Sequence, residues 1–175
     1  MNKKLLKCIS WGTFIGMMIL LAGCNAANNE GQKIIVTAGK INIALYNHRE
    51  NFLSIIESIS LEDLAYIKNN ENILIEFNGK TPKSIRLSEH ILNEKGEPKF
   101  ATEEKGKDID IKLDKSKASF KIEPNFATSF SSAGNDYDPG ATIKGYRLVC
   151  DWGESNSEHF FVIRGDSAIL NDSNE

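Results

Sequence analysis

The sequence predicts a mainly β protein, an antiparallel β-sandwich of about eight strands with a short helical segment near its N-terminus. Most of residues 73–164 consists of short runs that alternate apolar with polar positions. Turn-forming residues separate these runs about every 8–12 positions, which is typical of a sandwich. Before this region, residues 50–68 have apolar residues at helical spacing, which predicts the helical segment.

Two runs rich in β-branched residues, Lys33–Thr37 and Ile41–Tyr46, open the predicted domain. The three residues between them make a link of hairpin length. Further strands are predicted at residues 73–77, 84–92, 108–113, 118–122, 142–152 and 159–164. Residues 124–141 form a long loop rich in Ser, Gly, Asn and Asp.

The helical segment has an apolar stripe that we expect to pack on the sheet. Its members are Phe52, Ile55, Ile56 and Ile59. Ser60, with Asp63 three residues later, resembles a capping arrangement and predicts a second short helix through Ile67. One bent helix is the alternative, and the stripe could instead bind a partner.

The N-terminus predicts export. Three lysines precede an apolar run, residues 9–21, that has the length of a signal-peptide core and is short for a membrane span. The run ends in Leu21-Ala22-Gly23-Cys24, which resembles the lipobox of bacterial lipoproteins. The resemblance implies cleavage before Cys24 and attachment of lipid to its thiol. Residues 1–23 are then a signal peptide, and the protein is held on the extracytoplasmic side of the cell membrane.

The remaining chain divides into three predicted parts. Residues 24–32 carry the lipidated cysteine and a small, polar tether. Residues 33–164 form a single β-sandwich domain, and residues 165–175 are a polar, acidic tail. The strand succession of residues 73–164 loosely resembles immunoglobulin-like and fibronectin-like surface domains. Tyr146 stands four residues before Cys150, whereas the tyrosine corner of that fold requires two.

Charge and cysteine content restrict the function classes. The net charge is −3, and removal of three signal-peptide lysines makes it about −6. An acidic domain is a poor candidate for nucleic-acid binding. Cys8 leaves with the signal peptide and Cys24 carries lipid, so Cys150 has no partner for an intramolecular disulfide. We expect Cys150 to be buried and inert.

The sequence indicates no catalytic constellation and no cofactor. His48, His90 and His159 are scattered, without the spacing that would place two of them on one metal. Asp136 and Asp138 are weak candidates for calcium ligands, one residue apart in a loop. A solvated turn is favoured over a metal site, because the calcium-binding loop would need a glutamate where Arg147 stands.

Three residues are candidates for ligand binding. A symmetric final hairpin would place Arg147 opposite Arg164, an arrangement that an anion or a carboxylate-bearing partner could bridge. A neighbouring acidic side chain is the alternative explanation. Tyr137, in the long loop, is a further possible contact.

Two function classes follow. The favoured hypothesis is a lipid-anchored binding or interaction module of the bacterial cell envelope, with an envelope protein, a peptide or a cell-wall polymer as partner. The alternative is an envelope hydrolase or a protease-inhibitor-like protein. Convergent acid and base groups in a deep cleft would favour the enzyme. A shallow surface with exposed aromatic residues would favour binding.

Overall fold

The computed structural model describes residues 32–47, 49–100 and 106–167. The predicted lipobox with Cys24, nearly all of the tether, His48 and the chain from residue 168 lie outside the described residues.

Within these residues the chain forms ten strands in two five-stranded antiparallel sheets, which confirms the predicted fold class. The strands are β1 (Gln32–Ala38), β2 (Ile41–Ile43), β3 (Tyr46–Asn47), β4 (Asn72–Gly79), β5 (Ser84–Leu92), β6 (Lys107–Ile109), β7 (Lys112–Asp114), β8 (Lys117–Lys121), β9 (Thr142–Asp151) and β10 (Asn156–Gly165). The helical elements are α1 (Phe52–Ser58) and 3₁₀ turns at Leu61–Asp63, Phe126–Phe130 and Gly134–Tyr137.

The first sheet has the order β2-β1-β4-β8-β7, and the second has the order β3-β10-β9-β5-β6. The stretch predicted as one strand at residues 108–113 is two strands, because the chain crosses there between the sheets. β6 pairs with β5 in the second sheet, and β7 pairs with β8 in the first. In the described part of the chain, every sheet edge is a strand of only two or three residues.

The inward faces of the two sheets bury the main core. Alternate residues of the longer strands contribute to it, as the period-2 pattern predicts. Its fully buried members include Ile73, Ile75, Leu87, Ile122, Tyr146, Leu148, Phe161 and Ile163.

Helix α1 covers the outer face of the second sheet, which confirms that the helical stripe packs on the sheet. Asn51 caps the helix: its side-chain oxygen accepts a hydrogen bond from the Ser54 amide at 2.9 Å, and Ser54 Oγ accepts one from the Asn51 amide. The apolar cluster beneath the helix is Ile55, Ile56, Leu64, Leu92, Ile143, Phe160 and Val162.

The second predicted helix is wrong beyond its first turn. Ser60 does act as a cap, but only for the 3₁₀ turn that ends at Asp63. The chain then runs extended, because the Ile67 amide donates to the Arg164 carbonyl at 2.9 Å, and Tyr66 forms a parallel bridge with Arg164. Pairing with the end of β10 therefore overrides the local helical signal.

The register expected for the last hairpin is also wrong. Arg147 pairs with Phe160, and Arg164 pairs with Ile143, so the two arginines are not opposite each other. The connection is the four residues between β9 and β10, where the Trp152 amide donates to the Ser155 carbonyl at 2.9 Å and Gly153 has a φ of +94°. The prediction assumed a six-residue link and is displaced by four positions.

Strand pairing defines the two ends of the sandwich. Gln32, where β1 begins, pairs with Gly79 at one end of the first sheet. Lys121, where β8 ends, pairs with Asn72 at the other end. The Asn70 amide donates to the Ile122 carbonyl at that second end, and Ile67 is bonded to β10 beside it. We call this the loop end of the sandwich, because residues 122–141, the β8–β9 loop, leave from it.

Candidate functional site

The β8–β9 loop exposes two aromatic side chains at the loop end. Phe126 is 75% exposed and Phe130 is 69% exposed. They stand at the two ends of one 3₁₀ segment, and their rings meet edge to face with centroids 4.8 Å apart. We call them the aromatic pair. Two large, mostly exposed apolar rings in contact form a hydrophobic patch, whereas most surface apolar residues stand singly.

The base of the aromatic pair is tied to the interior through Asn125, which is 4% exposed. Its side-chain oxygen accepts from the Ala127 amide at 3.0 Å, which caps the 3₁₀ segment. Its side-chain nitrogen donates to Glu89 Oε1 at 2.8 Å, inside the sandwich. Thr128 Oγ1 closes the turn by donating to the Asn125 carbonyl at 2.7 Å. The segment that carries the rings is therefore held from below.

The other arm of the loop is held by Tyr137. Its hydroxyl lies 2.6 Å from the Ser131 carbonyl oxygen and 3.2 Å from that of Ser129. Ser129 belongs to the 3₁₀ segment of the aromatic pair, so Tyr137 links the two turns of the loop. Tyr137 was selected from the sequence as a possible ligand contact, and the structure places it next to the aromatic pair as an internal brace.

Asp136, one of the two weak metal candidates, is held by a cation. Its carboxylate accepts hydrogen bonds from Lys99 Nζ at 2.6 Å and from Ser131 Oγ. These two bonds lower the pKa of the Asp136 carboxyl below its ordinary value. Asp138 is exposed. Across the described residues no three His, Cys, Asp or Glu side chains are grouped to hold a metal ion.

The two arginines that the sequence suggested as an anion site have separate partners. Arg147 forms an exposed ion pair with Glu158. Arg164 Nε donates to the Leu64 carbonyl at 3.4 Å. An acidic neighbour thus satisfies Arg147, as the alternative explanation expected. The proposed arginine cleft needs a register that the hairpin does not adopt.

A buried polar cluster lies beneath the loop end, between the sheets. Glu89 of β5 and Lys144 of β9 are 2% and 0% exposed, and their charged groups are 3.9 Å apart. Tyr146 donates its hydroxyl to Glu89 Oε2 at 2.8 Å. Burial lowers the pKa of Lys144 and raises that of Tyr146 well above its ordinary value, since each charged form would be poorly solvated.

A sequence signal for this cluster exists. Glu89 occupies the same alternate positions of its strand as Leu87 and Ile91, so it falls on the apolar face. Lys144 likewise shares the face of Tyr146 and Leu148. A charged residue in phase with the apolar residues of a strand is the informative exception. The sequence interpretation followed the apolar residues and missed both.

Cys150 is buried among the core residues, as expected. Burial raises the pKa of its thiol to about 12, so the reactive thiolate is not formed near neutral pH. The two described histidines have serine partners. Ser88 Oγ lies 3.2 Å from His90 Nε2, and Ser157 Oγ lies 2.9 Å from His159 Nε2.

An open groove of about 440 Å³ borders the loop. Lys99 and Asp136 form the wall that it shares with the loop, and both charged and apolar side chains line the rest. The remaining lining residues are Leu92, Asn93, Glu94, Lys95, Glu97, Ala141 and Ile143.

Comparison with known proteins adds no relative. No family model, no curated protein and no solved structure matches this chain. Among the residues that the structure describes, no helix is both long and apolar enough to cross a membrane.

Proposed function

We propose that this protein is a lipid-anchored extracytoplasmic binding module of the bacterial cell envelope, and that the aromatic pair is its main contact surface. The partner is an envelope protein, a peptide or a cell-wall polymer. The observation that carries the proposal is the exposure of Phe126 and Phe130, 75% and 69%, on a loop braced from two sides. Aromatic residues are enriched at protein interfaces.

The bracing supports recognition because it reduces the cost of binding. A loop that is already held in one conformation loses less entropy when a partner docks. Asn125 and Tyr137 provide this preorganisation, since each bonds the backbone of the segment that carries the rings.

The position of the pair in the domain supports an outward-facing role. The chain enters β1 at Gln32, at the end of the first sheet opposite to the loop end. A tether attached at Gln32 would direct the opposite end of the domain away from the membrane. The aromatic pair would then be accessible to a partner in the envelope. The alternative of an envelope hydrolase needs accessible acid and base groups, and the carboxylate of Glu89 is 2% exposed and bonded by Asn125 and Tyr146.

The anchor predicts a defined modification. Wild-type protein from the membrane fraction should begin at Cys24 and carry lipid there, because residues 21–24 match the lipobox. Cys24→Ala should stay uncleaved and lack lipid. Peptide mass spectrometry of both proteins measures this. An unmodified, full-length wild-type chain would refute the anchor and leave the aromatic contact to be judged separately.

If the aromatic pair is the contact surface, replacing both of its rings should reduce the amount of partner that the protein captures. Phe126→Ser with Phe130→Ser should abolish most capture of the partner in a cross-linked pull-down from intact envelopes. Truncating a central aromatic contact typically costs about 2 kcal/mol or more in binding free energy. The matched control is Ile41→Ser with Leu53→Ser, since these side chains are apolar, 43% and 40% exposed, and lie elsewhere.

The control variant should recover the same partner as wild type. Equal recovery by all three proteins would show that the aromatic pair is not the contact surface. Circular dichroism of each variant checks that both double substitutions leave the sandwich folded.

A further inference from the structure

The buried cluster brings together an amine, an amide and a carboxylate. Lys144 Nζ lies 3.5 Å from Asn69 Oδ1 and 3.9 Å from Glu89 Oε2, and it donates to the Glu123 carbonyl at 2.8 Å. The exposed fractions of Lys144, Asn69 and Glu89 are 0%, 8% and 2%. Few side chains of these types are buried without a specific reason, because each must lose its hydration.

Burial favours the neutral form of the Lys144 amine. Desolvation lowers the pKa of Lys144, which increases the fraction of neutral amine with a free lone pair. Buried lysines activated in this way are known as covalent nucleophiles.

The amide is held in place from its other side. Asn69 Nδ2 donates to the Ser167 carbonyl at 3.0 Å, and the Asn69 backbone amide donates to Asp166 Oδ2 at 3.3 Å. Asp166 is itself fixed by the Tyr66 hydroxyl at 2.7 Å. The amide oxygen therefore faces Lys144, and the carbonyl carbon Cγ is one bond from that oxygen. Nζ must move from the oxygen toward the neighbouring Cγ to react, and holding the two groups side by side raises their effective concentration above that in solution.

The carboxylate is placed to carry protons. Glu89 accepts from Asn125 Nδ2 and from the Tyr146 hydroxyl, both at 2.8 Å, so its side chain is fixed beside Lys144. General acid–base catalysis requires hydrogen-bond contact with the group that loses the proton, so the 3.9 Å between Lys144 Nζ and Glu89 Oε2 must shorten in the reaction.

We propose that Lys144 and Asn69 form an intramolecular amide bond, with Glu89 as the proton carrier. Nζ of the neutral amine attacks Asn69 Cγ. Glu89 removes a proton from Nζ as the N–C bond forms and delivers it to Nδ2 as the Cγ–Nδ2 bond breaks. An amine and a primary amide become a secondary amide and ammonia, with no change of oxidation state.

The bond would join the two sheets. Asn69 lies just before β4 of the first sheet, and Lys144 lies in β9 of the second, 75 positions later. Closing so long a segment restricts the unfolded chain, as a disulfide does. Cys150 is the one cysteine in the described residues, so no disulfide serves this purpose there.

A tryptic digest of the full-length protein tests the bond, because trypsin does not cleave after a lysine whose amine is acylated. The expected product is a branched peptide in which residues 69–80 are joined to residues 122–147, one ammonia lighter than the two peptides together. Fragmentation assigns the joined residues and distinguishes Asn69 from Asn70, Asn72 and Asn78 of the same peptide. Glu89→Gln and Lys144→Arg should each release residues 69–80 as a separate linear peptide.

The wild-type digest decides the question even if a variant fails to fold. Complete cleavage after Lys144, together with linear peptide 69–80 at its full mass, would refute the cross-link. A cross-link within residues 122–147, from Lys144 to Asn125, with residues 69–80 released as a linear peptide, would refute Asn69 as the partner. Persistence of the branch in folded Glu89→Gln would refute the role of Glu89.

Discussion

Replacing Phe161 with alanine should lower the free energy of unfolding by about 3–5 kcal/mol, the usual cost of deleting a fully buried ring. Phe161 is 0% exposed and stacks on Tyr146, with ring centroids 4.9 Å apart and an interplanar angle of 16°. The cavity would open between the two sheets, where the surrounding strands cannot collapse into it. Urea unfolding of both proteins, followed by circular dichroism, measures the difference.

Phe126→Ala is the matched control, because it removes the same ring from a side chain that is 75% exposed. Its free energy of unfolding should stay within about 0.5 kcal/mol of wild type. Phe161→Ala should therefore lower the free energy of unfolding, whereas Phe126→Ala should leave it nearly unchanged and remove part of the contact surface. If Phe126→Ala were as destabilising as Phe161→Ala, the aromatic pair would be part of the core and not a contact surface.

Asn125→Ala should destabilise the protein through two separate losses. Loss of the cap on the 3₁₀ segment costs about 1 kcal/mol. Leaving Glu89 Oε1 buried without its donor costs about 1–3 kcal/mol more. Partner recovery should also fall, since the rings lose their fixed base. Urea unfolding and the envelope pull-down measure the two effects.

Asn51→Ala provides the comparison for Asn125→Ala. Asn51 caps α1 through the Ser54 amide but is exposed and has no buried carboxylate beside it. It should therefore show only the capping loss of about 1 kcal/mol. Equal destabilisation by the two variants would contradict the assigned bond between Asn125 and Glu89.

The sandwich could be predicted because its inward faces follow a period of two. Cys150 was predicted to be buried, and it is 0% exposed together with Leu148 and Phe161 of the inward face. This assignment survived the wrong register of the final hairpin because the displacement was four positions, and an even displacement keeps every side chain on its face. The predicted pairing of Arg147 with Arg164 required the exact register, and it is wrong because Arg147 pairs with Phe160.

The candidate site was harder to predict. In the sequence, Phe126 and Phe130 are aromatic residues in a polar loop, and the local pattern does not show whether their rings are buried. The segment that carries them is anchored through Asn125 to Glu89, 36 positions away. Tertiary contacts of this kind leave no periodic signal. The proposed bond between Asn69 and Lys144 likewise joins positions that only the fold brings together.

The short edge strands limit backbone pairing between neighbouring copies of the domain. Proteins tethered to one membrane are held at a high local concentration, where long exposed strands would add to one another and build fibrils. In the described residues, the outermost strands β2, β3, β6 and β7 offer two or three residues each, whereas the central strands have five to ten. Such short edges give a neighbouring copy little backbone to pair with. Through its outermost strands, one copy of the domain can therefore offer another only two or three residues for pairing.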